Sequence, residues 1–203
     1  MIIDKLTFDE LVDAFNEVIT PEDQLIAVFS GVWTFGHKLQ CPPNEIPKFV
    51  FEALSKAAQE KTIIMPTYSW NFAKDRVFDV ERTPSGQGVL SEYFRKLPET
   101  RRSENPMESY AVTGPLSSEF LNCPCTTAWG DDSHLAFLHN RNARIVTLGL
   151  PWNNTVAPIH RAEAILGVPY RYNKVFPGRY FCDGKSKGRI QDVIYVRPWN
   201  CNF

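Results

Sequence analysis

The chain has 203 residues, enough to bury one substantial core, and its 43% apolar, 13% aromatic and 22% charged residues are those of an ordinary globular protein. Lys and Arg (22) nearly balance Asp and Glu (23), so the net charge of −1 excludes a global field favouring nucleic acid or an anionic membrane, and any basic site has to be local. Five cysteines (Cys41, Cys123, Cys125, Cys182, Cys201) are odd in number and form no pair of Cys-x-x-Cys motifs, which argues against a disulfide framework and a structural zinc site.

In chain order, the first segment reads as a helix. Thr7 caps it, Glu10 completes a capping box, and Phe8, Leu11, Val12, Phe15 and Val18 share one face. Carboxylates interrupt its apolar positions and no run nears the roughly 20 apolar residues a bilayer span needs, so a cytoplasmic protein is expected. QLIAVFSGV is a buried strand delivering a loop at Ser30-Gly31, PNEIPKFVFEALSKAAQEK an amphipathic helix, and TIIMPTYSW a second buried strand. That order is a βαβ unit and predicts parallel pairing with a right-handed crossover. From Asn71 to Leu90 the pattern dissolves into a long polar loop, of a length that is usually functional or disordered. A helix (VLSEYFRKLP), a loop with a short strand (SYAVTG), a helix (SHLAFLHNRN), a buried strand (ARIVTLGL) and a helix at about Ile159 to Leu166 follow, and GRIQDVIYVRP alternates like a strand. The expectation is one α/β domain over residues 1–203, with a mostly parallel central sheet flanked by helices, a long loop excursion and a C-terminal antiparallel strand.

Three stretches could carry chemistry. In NNTVAPIHRAE, His160 and Glu163 are three apart, so on a helix their side chains can touch. A carboxylate on one imidazole nitrogen fixes the tautomer and raises the basicity of the other, as a general base requires. Thr155 and nearby backbone N–H groups could serve a developing oxyanion. Alone, this spacing fits a structural or solvated histidine as well. FSGVWTFG offers small residues where backbone amides can approach a ligand, without being a Walker or dinucleotide-binding loop. In the run from Arg82 to Gly114, arginines among Ser, Thr and Gly suggest a phosphate or carboxylate site, or a solvated loop.

Taken together and in order, these motifs resemble the aminoglycoside 3-N-acetyltransferase family. SGVWTFG is similar to its strand-ending Ser-rich loop and IIMPTYSW to its Met-Pro-Thr strand. TPSGQGVLSEYFRKLPETRRSENPMESYAVTG resembles its Ser-Gly-x-Gly, helix and Arg-Ser signature, and LGLPWNNTVAPIHRAE the stretch carrying its Thr, His and Glu. The likeness covers roughly Phe29 to Phe176. It implies an N-acyltransferase using acetyl-CoA or another acyl-CoA as co-substrate, without a metal. His160 is then the base, Glu163 its orienting acid and Thr155 an oxyanion donor. Ser30, Gly31, Val32, Trp33, Thr67, Arg102 and Ser103 lie where the family meets pantetheine and phosphates.

The family's Arg-Ser-x-His-Pro run reads Arg102-Ser103-Glu104-Asn105-Pro106 here. For the acceptor, Asn154, Asp132, Tyr170, Arg171 and Tyr172 are the candidates. The acidic group Glu104, Glu108, Asp131 and Asp132 is small, whereas Tyr170, Arg171, Tyr172 and Lys174 offer aromatic and cationic groups. That resembles relatives acylating nucleotide-linked amino sugars, which is the expected acceptor class, with an aminoglycoside or a non-catalytic binding role as alternatives. The implied partners are a small amino sugar and an acyl-CoA, not nucleic acid or membrane, with a homodimer left open.

Overall fold

The computed structural model describes residues 5–152, 155 and 157–198. Helix α1 (Phe8–Val18) starts with the expected capping box: Thr7 Oγ1 accepts the Glu10 N–H at 3.2 Å and Glu10 Oε2 accepts the Thr7 N–H at 2.8 Å. Leu11, Val12 and Phe15 are buried, while Val18, at the end of the same face, is exposed.

The central sheet holds β1 (Leu25–Ser30), β2 (Thr62–Pro66), β4 (Arg101–Arg102), β5 (Tyr110–Thr113) and β6 (Arg144–Leu148) in the order β4-β5-β2-β1-β6. β1 runs parallel to both β2 and β6, with α2 (Ile46–Ala57) as the crossover from β1 to β2. Its residues divide by strand alternation: Ile26 and Val28 pack towards α1, α2 and α4 (Val89–Arg95), and Leu25, Ala27 and Phe29 towards the opposite layer. A strand covered on both faces has to be apolar throughout, as LIAVF is.

The expected mostly parallel sheet is corrected to a mixed one, because β5 is antiparallel to both β2 and β4. The reason is local. β5 returns to the sheet directly from the turn after β4, and so short a connection cannot make a parallel crossover.

The second correction lies in the C-terminal half. In place of one antiparallel strand, β7 (Tyr172–Cys182) and β8 (Lys185–Val196) form a long hairpin, and β3 (Val77–Asp79) joins it in parallel on β7. Asp183-Gly184, with φ of 49° and 76°, makes the two-residue turn, and Asp-Gly is a strong hairpin signal. The segment expected to be a polar loop therefore contains one helical turn, α3 (Phe72–Asp75), and β3, anchored by the buried Phe72 and Phe78. Asp79 fastens it: its carboxylate accepts N–H groups from Glu81, Arg82, Asp183 and Gly184 at 2.6–3.2 Å. Burial opposes its ionisation, yet these amide bonds hold the carboxyl below its ordinary range.

The small sheet packs with α5 (Ser117–Leu121), α6 (His134–Asn140) and α7 (Ala157–Leu166) through a cluster including Phe29, Phe78, Phe120, Leu138, Phe176 and Ile194. No helix among the described residues is long and apolar enough to cross a membrane.

The loops after β1 and β6 are pressed together. Thr34 Oγ1 donates to the carbonyls of Gly31 and Gly149, both at 2.9 Å. Gly149 has φ +68°, and a Cβ there would lie 2.9 Å from Gly31 O. Gly149→Ala is expected to destabilise the fold by about 2 kcal/mol, lowering Tm by roughly 4–8 °C in thermal unfolding; an unchanged Tm would contradict the close approach.

Candidate functional site

The C-terminal ends of the parallel strands β2, β1 and β6 open on one edge, the usual place for a ligand in such sheets. There α7 presents His160, whose Nδ1 lies 2.8 Å from Glu163 Oε2, one turn on. Glu163 is held from the hairpin side as well. The Tyr170 hydroxyl donates to Oε1 at 3.0 Å, Arg171 Nε lies 2.8 Å from Oε2, and Arg197 Nη2 lies 3.6 Å from Oε1. The Arg171 Nε contact is an ion pair without hydrogen-bond alignment; its Nη1 donates to Tyr195 O at 2.9 Å.

These contacts decide the protonation states. Burial raises the Glu163 carboxyl, but the hydrogen bond with His160, the charge of Arg171 and the hydrogen bond from Tyr170 win and bring it down to about 2. An ionised Glu163 needs a donor, so neutral His160 carries its proton on Nδ1 and keeps the Nε2 lone pair free. Arg171 Nη2, 3.2 Å from Nδ1, then acts as a charge and not as a donor. Burial, chiefly, and Arg171 lower the His160 pKa while Glu163 partly restores it, which leaves a neutral imidazole at neutral pH.

Trp129 stacks on His160 with ring centroids 4.4 Å apart and 23° between planes. Arg161, also on α7, secures it by donating from Nη1 to Trp129 O at 3.0 Å and pairing through Nη2 with Asp131 at 2.6 Å. His160 lines a cavity of about 170 Å³ with Phe29, Tyr68, Trp70, Gln87, Glu108 and Ala157. A neighbouring cleft of about 330 Å³ runs between Ser30–Trp33 and Gly86–Leu90, and Gln87 borders both. Ser30 Oγ is buried there without a hydrogen-bond partner among the described residues.

The residues expected from sequence therefore separate. His160, Glu163, Tyr170 and Arg171 come together, and Ser30, Gly31, Val32 and Trp33 line the adjoining cleft. Thr155 is buried against β6, its hydroxyl 2.8 Å from that of Thr147 and its N–H donating to Trp152 O, so its backbone N–H is already engaged within the fold. Asp132 is engaged with the N–H and hydroxyl of Thr126. Tyr172 is exposed at the start of β7, and Asn154 lies outside the described residues.

Arg102, Ser103 and Thr67 are corrected from a phosphate-facing group to an interior one. The Arg102 guanidinium donates to Thr67 Oγ1, Ser109 Oγ, Thr83 O, Thr67 O and Ser69 Oγ and stacks over Phe78 at 4.8 Å. Burial, then Arg95, pulls its pKa down to about 9. Ser103 Oγ accepts the Tyr110 N–H at 3.0 Å. A buried arginine surrounded by hydroxyls and carbonyls looks the same in sequence as one awaiting a phosphate.

Sequence reading missed Tyr68, Trp70 and Gln87 as pocket residues and Trp129 as the ring stacked on His160. Tyr68 and Trp70 read as the end of a buried strand, Gln87 and Trp129 lie in segments without periodicity, and only their position beside the strand ends identifies them. Glu108 was noted for its charge alone. Cys125 Sγ meets His134 Nδ1 at 3.2 Å, but burial raises the thiol to about 12 and lowers the imidazole to about 4, so this pair is neutral packing.

The sequence profile described as Aminoglycoside 3-N-acetyltransferase matches residues 41–196. Among curated proteins, aminoglycoside N(3)-acetyltransferase IV from Salmonella sp is 29% identical over 164 residues, covering 79% of this chain and 59% of its own length. The chain thus spans less than two thirds of that relative. Among solved structures, AAC-IIIb in its binary complex with CoASH superposes with a TM-score of 0.78 at 21% identity, covering 98% of this chain and 78% of its own. A His-to-Ala mutant of AAC(3)-IVa in complex with a gentamicin gives 0.75 at 25% identity, covering 95% and 71%.

Arg102→Lys is expected to lower stability by about 3 kcal/mol or more, since each buried acceptor left unpaired costs roughly 1–3 kcal/mol. Denaturant unfolding measures it; a variant as stable as the wild type with weakened CoA binding would return Arg102 to a phosphate role.

Proposed function

The chain belongs to the aminoglycoside 3-N-acetyltransferase family, and from that premise we propose that it transfers an acetyl group from acetyl-CoA to an amine of a cationic, aminoglycoside-type amino sugar. The observation that carries this reading is His160, oriented through Nδ1 by an ionised Glu163 at 2.8 Å and lining a cavity that adjoins the cleft behind Ser30–Trp33. The name of one solved neighbour includes CoASH and that of another gentamicin, which supports the same pair of substrates here.

In this mechanism acetyl-CoA lies along the glycine-rich cleft, with Ser30 Oγ available to bond it, and its thioester reaches the cavity beside Gln87. The acceptor ammonium first loses a proton, because only the free amine is nucleophilic. Its nitrogen then attacks the thioester carbonyl while Nε2 of His160 takes the second proton. Glu163 stabilises the imidazolium so formed. Collapse breaks the C–S bond, and the thiolate leaves with that proton as CoA thiol, giving the amide.

A nucleotide-linked amino sugar fits less well. That reading needs Tyr170-Arg171-Tyr172 to hold a diphosphate, yet Arg171 is buried against Glu163 and the Tyr195 carbonyl, and the carboxyl of Glu108 lines the cavity instead.

His160→Ala is expected to lower kcat for acetyl transfer about 10²–10⁴-fold with CoA affinity retained. In the wild type, log kcat/KM should fall as pH drops through a value below the ordinary histidine range, the direction its shift in the free protein requires. Steady-state thiol release with gentamicin and acetyl-CoA checks both, and an undiminished mutant kcat would sink the general-base role and favour a binding protein.

A further inference from the structure

The cavity has a second polar wall that the mechanism does not use. Glu108 lies two residues before β5, and because β5 is antiparallel with Tyr110 opposite Pro66, its first residues sit beside those that follow β2. Glu108 is thereby placed next to Tyr68, at 5% exposure, and lines the same cavity as His160. Two independent ties fix it: Thr67 N–H donates to Ser109 O at 2.8 Å, and Met107 N–H donates to Asp192 Oδ2 on β8 at 2.7 Å.

The other walls are Phe29, Tyr68, Trp70, Gln87 and Ala157. No cation acts on Glu108 among the described residues, and the groups that do are Asp192, Trp129 and Tyr68. A carboxyl buried beside another carboxyl, without a cation, is poorly compensated as an anion. An organic ammonium entering the cavity would supply the missing charge.

We infer that Glu108 recognises an ammonium group of the acceptor other than the amine that is acetylated, in the cavity it shares with His160, and makes that cavity selective for cationic amines. The inference rests on the acyl-transfer reading for the word acceptor, but the binding it describes needs no turnover. The groups facing Glu108 are Asp192 from β8, Trp129 from the segment before α6, Tyr68 from the loop after β2, Tyr110 from β5 and His160 from α7. Burial, then Asp192, raises the Glu108 carboxyl to about 8, against smaller opposing contributions from Trp129 and Tyr68. At pH 7 the empty cavity therefore holds it as the neutral acid. An incoming ammonium stabilises the carboxylate, the O–H bond ionises, and one proton leaves to solvent as the ion pair forms.

The test is calorimetric titration of the full chain with gentamicin at pH 7, in two buffers of different ionisation enthalpy, for wild type, Glu108→Gln and Glu108→Asp. Wild type should release about one proton more per gentamicin than the Gln variant, which cancels the ligand's own titration. The Gln variant should bind about ten-fold or more weakly, as loss of a hydrogen bond to a charged group implies. CoA affinity should be unchanged, and the Asp variant should recover part of both effects. Equal affinity and equal proton count in wild type and the Gln variant would overturn the inference, as would a wild type that binds no gentamicin. If the Gln variant fails to fold, a wild-type proton count in the Asp variant supports the inference and an absent release in wild type overturns it. Gentamicin binding with the predicted proton release but no acetyl transfer would refute the acyl-transfer reading and leave recognition by Glu108 standing.

Discussion

One carboxylate organises this molecule's chemistry. Glu163, on α7, is met by His160 from its own helix, by Tyr170 and Arg171 at the entry to β7, and by Arg197 just after β8. A carboxylate withdrawn from water without partners would cost several kcal/mol. With these partners its pKa falls to about 2, so the charged form is the favoured one. The same contacts that dock the hairpin against α7 therefore orient the imidazole, and site geometry is bound to the fold. Glu163 titrates below its ordinary 4.5, so its contribution to stability is present above that pH and is lost as pH falls towards 2. His160 acts in the same direction, since its lowered pKa favours the neutral ring and that preference is lost as acid protonates it.

The mixed sheet has a consequence for the site. In a wholly parallel sheet the ligand edge is made by strand C-termini. Here β5 runs the other way and brings its N-terminal side to that edge, so Glu108 reaches a cavity otherwise bordered by residues following β1 and β2. The small sheet supports this arrangement from outside: Asp192 caps the Met107 N–H and Val193 O accepts from Ala128, steadying the segments that carry Glu108 and Trp129.

Regular, doubly buried elements were legible in the sequence. LIAVF, TIIMP and the amphipathic α2 read correctly because burial imposes continuous or periodic apolar character. The helix carrying His160 was legible through a three-residue spacing that means the same thing in any helix. The direction of β5 was not, since pairing sense depends on connection geometry and not on side chains. β3 was hidden because Val77 and Phe78 make too short an apolar run between Arg76 and Asp79, although Asp183-Gly184 marked the hairpin it joins. Arg102 misled for a chemical reason: hydroxyls and carbonyls that saturate a buried guanidinium look, in one dimension, like a phosphate site. Arg171 misled in the opposite sense, as a cation expected to face a ligand that instead faces Glu163.

The central claim is that Glu163 holds neutral His160 as the Nδ1–H tautomer with Nε2 free as the base. Nitrogen-15 NMR of the imidazole, titrated with pH in the ligand-free protein, measures both tautomer and pKa. The account predicts a protonated Nδ1, an unprotonated Nε2 and a midpoint below the ordinary 6.5. A ring protonated on Nε2 at neutral pH, or a midpoint above that value, would contradict it.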